Sequence, residues 1–232
     1  MRSRSMWGAK LALISYFVLY GGMYMASLIA GLLLSGVGTG DLPFPTGLVS
    51  LPVTDVTILG ITLLFARYKG AGLKELGLRK ISLKILAIVI IAAVFTRLLQ
   101  SGISISLEAI LGPDPMAGRR QEILIPRNSL QLVAMIAISL VMVGPCEELA
   151  YRGFIQKGFE NSFGNAKGLL IASLLFTAIH VGWGFYSVVS VFPTALVLGY
   201  VWQRTSGNTT ASALVHGIHN SIWIALAYFA II

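Results

Sequence analysis

The chain has 232 residues, 56% of them apolar and only 11% charged, with a formal net charge of +8 and a mean hydropathy of +0.83. That composition excludes an ordinary soluble domain and points to an all-α, polytopic transmembrane bundle. At about 20 residues per crossing the length holds about seven spans (roughly six to eight), and the lone Cys146 excludes an internal disulfide framework.

The first apolar run covers about 11–37, behind Arg2, Arg4 and Lys10. It is longer than the apolar part of a signal peptide and no small-residue cleavage signature follows, so it reads as a retained first helix. Within it Gly22, Ala26 and Ala30 form a small-xxx-small stripe suited to helix packing. Asp41, Pro43, Pro45 and Gly47 mark a turn, and a second span runs over about 48–66, with Asp55 near its outer end as an interfacial charge. Arg67, Lys69, Lys74, Arg79, Lys80 and Lys84 then form a basic linker punctuated by Gly70, Gly72 and Gly77. In the third span, about 83–111, Arg97 is an intramembrane charge that needs a partner, with Glu108 or a helix-end carbonyl as candidates. A proline- and glycine-punctuated loop over 112–128 precedes a fourth helix from about 129 to 156 or beyond.

Three further helices are expected, over about 168–180, 185–202 and 209 to the C-terminus. Asn208 or Thr209, after Gly207, is the expected N-cap of the last one, which accounts for the sequon-like Asn208-Thr209-Thr210 without glycosylation. No repeat or low-complexity tract divides the chain, so 1–232 reads as a single transmembrane domain with its motif-bearing core at about 129–232.

Basic loops stay on the cytoplasmic side of a membrane. With the N-terminus cytoplasmic, that side holds Arg2, Arg4, Lys10, the linker, Arg152, Lys157, Lys167 and Arg204, and the other side only Arg119, Arg120 and Arg127. Lipid head groups thus account for the positive charge without any nucleic-acid partner.

Polar groups in such a bundle are costly and default to functional candidates. Glu147 and Glu148 lie side by side toward the cytoplasmic end of the fourth helix, and Arg152, four residues on, shares a face with Glu148 and can pair with it. Glu147 points about 100° away and is free for another partner. The plainer alternative is a charge cluster snorkelling into head groups. Pro145 removes a backbone hydrogen bond just before the pair and kinks the helix there.

His180 lies deep in the fifth helix, while His216 and Asn220 sit one turn apart on the last helix, with His219 facing elsewhere as a packing residue. A carboxylate and an imidazole can activate water, and a second imidazole and an amide can donate to an oxyanion. The same carboxylates and histidines, Glu147, Glu148, His180 and His216, are also a candidate zinc set. Cys146 as a nucleophile would need its thiolate near a histidine, and its place directly after Pro145 makes it the weaker candidate.

In order and spacing, the blocks Glu147-Glu148-xxx-Arg152, Phe176-xxx-His180 and His216-xxx-Asn220 resemble the CPBP family of intramembrane proteases, which includes type II CAAX prenyl endopeptidases and Abi proteins. Leu76-Gly77-Leu78-Arg79 before the third helix is similar too. The resemblance implies peptide-bond hydrolysis at the membrane, with Glu147 and His180 activating water, His216 and Asn220 stabilising the oxyanion, and Glu148 and Arg152 in support. Zinc-dependent and glutamate-only routes both fit these residues. Implied partners are the bilayer and a membrane-associated peptide: a prenylated CAAX-like protein or, in the plasma membrane of a prokaryote, a precursor peptide. The rival readings are a catalytically silent immunity or scaffold protein and a transporter; the latter calls for charges spread over many helices and paired broken helices, and neither is evident.

Overall fold

A computed structural model describes residues 7–36 and 46–229. Its helices are α1 (Ala9–Gly36), α2 (Gly47–Tyr68), α3 (Leu83–Leu111), α4 (Ala117–Leu124), α5 (Ser129–Phe163), α6 (Asn165–Ala178, continued by a 3-10 turn at Ile179–Trp183), α7 (Phe185–Arg204) and α8 (Thr209–Tyr228). The expected turn at Asp41, Pro43 and Pro45, and the basic residues Arg2 and Arg4, lie outside the described residues.

Side chains set several helix starts. Ser82 Oγ accepts the Ile85 N–H at 3.3 Å, Asn128 the Gln131 N–H at 3.0 Å, and Asn208 the Ala211 N–H at 3.3 Å. Asn208 is therefore the cap of α8, and Thr209 turns its hydroxyl instead to the Leu76 carbonyl at 2.6 Å. Between α5 and α6 only Gly164 intervenes, at φ +81°, where a side chain would be strained.

Six helices, α1, α2, α3, α5, α6 with its 3-10 turn, and α7, are long and apolar enough to cross a membrane among the described residues. Their outer faces are apolar, with Phe17, Leu33, Ile91, Leu98, Leu130 and Val141 all exposed, as expected of lipid-facing surface. Helix α8 has the length to cross, but its polar residues keep it outside that group. It packs against α3 and α5 instead of facing outward.

Two seams hold the bundle. In one, Tyr151, Phe154, Ile155 and Phe159 of α5 meet Leu19, Ile58 and Phe176; in the other, Val89 and Ala93 of α3 meet Leu198, Val201, Ala211 and Val215. The Gly22–Ala26–Ala30 stripe lies on α1, which packs against α2, with Ala26 and Ala30 buried.

The loops sort to two ends. At one, Lys157 Nζ donates to the Glu75 carbonyl (2.6 Å), Arg79 to the Ser206 carbonyl (2.9 Å), and Thr209 N–H to the Gly77 carbonyl (2.8 Å). At the other, Tyr186 reaches the Gly112 carbonyl (2.7 Å), and Arg120 pairs with Asp114 and reaches the Trp183 carbonyl (3.1 Å). Most of the basic residues thus gather at the first end.

Four expectations need correction. Residues 112–128 are not all loop, because Ala117–Leu124 closes a short helix there. Arg152 is no head-group residue; only 1% exposed, it lies inside the bundle. Arg97 turns to Ser101, whose hydroxyl lies one turn on at 3.1 Å, while Glu108 is exposed. Asp55 is not interfacial either: it is 2% exposed, on the face of α2 that packs against α5.

Candidate active site

Helix α5 is not uniformly α-helical. Ser139–Val143 and Leu149–Gln156 are π-helical, and the α-helical turn Gly144–Glu148 between them carries both glutamates. Pro145 lacks an N–H, and the wide turn just before it absorbs the lost bond. The pair sits near the middle of a 35-residue helix rather than at its end.

Glu148 and Arg152 pair across one turn at 2.9 Å, 0% and 1% exposed respectively. That burial overturns the snorkelling alternative for them. Arg152 also donates to the Ala195 carbonyl at 3.0 Å, and one turn further Gln156 donates to the Gly199 carbonyl at 3.3 Å, tying α5 to α7.

The Oε1 atom that takes Arg152 also takes His216 Nδ1 at 3.0 Å. A carboxylate oxygen accepts, so Nδ1 carries a proton and the ring is oriented by Glu148. Close backbone approach makes this contact: a Cβ at Gly144 would strike the Ala213 carbonyl oxygen, and one at Gly217 would meet the Ser139 carbonyl oxygen at 2.8 Å.

His180 lies on the 3-10 turn after α6, not within the α-helix, and its Nδ1 meets the Phe176 carbonyl at 3.0 Å. A carbonyl only accepts, so the neutral ring holds its proton on Nδ1 and leaves the Nε2 lone pair free. Phe176 is the hub: its ring centroid is 5.2 Å from that of His180, 5.7 Å from His216 and 4.9 Å from Tyr151, with the Arg152 guanidinium 4.4 Å over its face.

Glu147 is half-buried and makes no hydrogen bond among the described residues, and the same holds for Asn220. In electrostatic reach of Glu147 are His216, Glu148, Arg152, Tyr151, Cys146 and Asp55. His219 is apart: Thr96 donates its hydroxyl hydrogen to the carbonyls of Ala92 and Ala93, so His219 Nδ1 donates to Thr96 Oγ1 at 3.1 Å, a packing role. Cys146 is buried and unpaired.

The structure thus brings together Glu147, Glu148, Arg152, His180 and His216, with Asn220 one turn beyond His216 on the same helix. Among the described residues no three His, Cys, Asp or Glu side chains stand together as a set of metal ligands, and Glu148 Oε1 is already taken by Arg152 and His216. As arranged, Glu147, Glu148, His180 and His216 do not fit zinc. Sequence reasoning missed the hub role of Phe176 and the burial of Asp55. The latter had a signal: eight residues into α2, Asp55 is about 12 Å from the helix start, too deep for an interface.

No curated protein and no solved structure matches the chain. Residues 129–222, which hold the four candidate catalytic residues and their two supports, match the family model described as Type II CAAX prenyl endopeptidase Rce1-like, and the resemblance to the CPBP family of intramembrane proteases is borne out over that stretch.

Proposed function

We propose that the chain is an intramembrane endopeptidase in which Glu147 and His180 activate water and His216 with Asn220 stabilises the oxyanion. The reading is carried by the three motif blocks meeting around Phe176 inside the segment that matches the protease family.

Glu147, uncommitted to any protein hydrogen bond, removes a proton from water, while the free Nε2 of His180 accepts the second water hydrogen. The water oxygen bonds to the scissile carbonyl carbon as the C=O electron pair moves to oxygen. Asn220 and His216 donate to that oxyanion. For His216 to donate from Nε2 while its Nδ1–H is held by Glu148, the ring must carry a hydrogen on both nitrogens in this step. Collapse breaks the C–N bond, and the proton held by Glu147 passes to the departing amine. Glu148 and Arg152 position His216 and do not touch the peptide.

The substrate class is a membrane-associated peptide, prenylated and CAAX-like or a precursor peptide, cut in a prokaryotic plasma membrane with the N-terminus of the enzyme cytoplasmic. The test is cleavage of membrane-tethered peptides by purified wild type and Glu147→Gln in detergent, with and without a chelator. The expected result is cleavage by wild type, at least about 10²-fold less by the variant, and no chelator effect. Equal cleavage by both proteins removes Glu147 from the reaction; loss on chelation assigns water activation to a metal instead.

A further inference from the structure

Helix α2 buries one ionisable side chain in the bundle, Asp55, at 2% exposure. No hydrogen bond reaches its carboxyl group among the described residues, and Oδ2 is sealed from solvent with no partner. A buried carboxyl oxygen left so carries an uncompensated desolvation cost, larger still if charged, so the group needs a hydrogen-bond partner.

The surroundings narrow where that partner comes from. Arg152 gives one N–H to Glu148 and one to the Ala195 carbonyl, His216 gives its Nδ1–H to Glu148, and Arg97 gives its Nε–H to Ser101; none of these contacts reaches Asp55. Helix α2 packs against the turn of α5 that carries Glu147, and the ionisable groups in electrostatic reach of Asp55 are Glu147 and Cys146. Counted from the basic end of the bundle, Asp55 lies about 20 Å along α2, Glu147 about 24 Å along α5 and His180 about 22 Å along α6, agreement within one helical turn. Two carboxyl groups at one depth, neither side chain hydrogen-bonded to protein among the described residues, can satisfy each other through one hydrogen, directly or across a water.

We propose that Asp55 is a second carboxyl group of the reaction site, a positioning residue that holds Glu147 and its water through the hydrogen bond both groups otherwise lack. This rests on the reading of Glu147 as the water-activating residue. The hydrolysis is unchanged, with Glu147 taking and returning the proton; Asp55 fixes the rotamer from which it does so.

The test compares full-length wild type, Asp55→Leu, Asp55→Asn, Glu147→Gln and the Asp55→Leu/Glu147→Gln double variant. Asp55→Leu is expected to lose at least about tenfold in kcat with KM within twofold, and Asp55→Asn, whose amide still donates, to recover most of it. In thermal unfolding the double variant's shift in Tm is expected to differ from the sum of the single shifts by at least about 3 °C. Additive shifts overturn the contact whatever the activity. Coupled shifts with wild-type kcat in Asp55→Leu overturn its place in the reaction. An active Glu147→Gln with coupled shifts sinks the assignment of Glu147 and leaves the contact standing, so the two failures are told apart.

Discussion

The residues of this site divide by whether their polar atoms are already engaged. Glu148 Oε1 is engaged by both Arg152 and His216, whereas its Oε2 and the side chains of Glu147 and Asn220 have no hydrogen-bond partner among the described residues. Of the engaged groups, the Glu148–Arg152 pair reports on stability, while the unengaged amide of Asn220 reports on chemistry. Replacing Arg152 by Met leaves Glu148 with His216 alone in the interior, and removal of one partner of a buried pair costs about 3–5 kcal/mol. A large fall in the unfolding midpoint in detergent is the expected result. Asn220→Ala removes a half-buried amide that holds nothing together, so its unfolding free energy stays within about 0.5 kcal/mol of wild type while kcat drops about 10²–10³-fold. Reversal of that pattern, a stable Arg152→Met beside an unfolded Asn220→Ala, would mean that the roles have been exchanged.

Elements explain why these side chains meet. The apolar runs and the turn residues between them mark the long helices, and α3 begins and ends where its apolar run does, at Leu83 and Leu111. The i,i+4 relation of Glu148 and Arg152 is likewise local and visible in sequence. Three features are not local. The π turns around Gly144–Glu148 depend on neighbours that claim the freed backbone groups, as Trp7 Nε1 does at the Phe154 carbonyl, 2.8 Å away. The short α4 is too brief for a periodic pattern, and the burial of Asp55 depends on which face α2 turns to α5. The meeting of Glu148 with His216 requires α8 to lie against α5 at glycine distance. A Gly144→Val side chain, aimed at the Ala213 carbonyl, pushes α8 away; overpacking of this kind costs about 1–3 kcal/mol. Both the midpoint and cleavage are expected to fall. Gly102→Ala, with open space at its Cβ position, raises helix propensity and is expected to leave cleavage intact and stability equal or higher by up to about 1 kcal/mol. Equal behaviour of the two variants would argue against close helix approach as what places His216.

At the scale of the whole molecule, the distribution of charge and the course of the chain agree. The linker after α2, the turn between α5 and α6, and the turn before α8 meet at one end, with Lys157 and Arg79 bonded to carbonyls of neighbouring loops. The segment around α4 meets the start of α7 at the other, through Arg120 and Tyr186. Successive crossings thus return basic loops to the same surface, the one that the proposed orientation places in the cytoplasm. Because Cys146 is the sole cysteine and is buried, a Cys146→Ser background gives a clean readout. Lys69→Cys and Lys167→Cys are expected to react with a membrane-impermeant thiol reagent only from the cytoplasmic side of oriented vesicles, and Glu122→Cys only from the opposite side. All three positions are exposed, so failure to label is not a matter of burial. If Lys69→Cys and Glu122→Cys react from the same side, α3 does not cross the bilayer, and the depth agreement that links Asp55, Glu147 and His180 loses its common axis. If the two sides are exchanged, the bundle stands with the N-terminus outside, and the shared depth of the three residues is untouched.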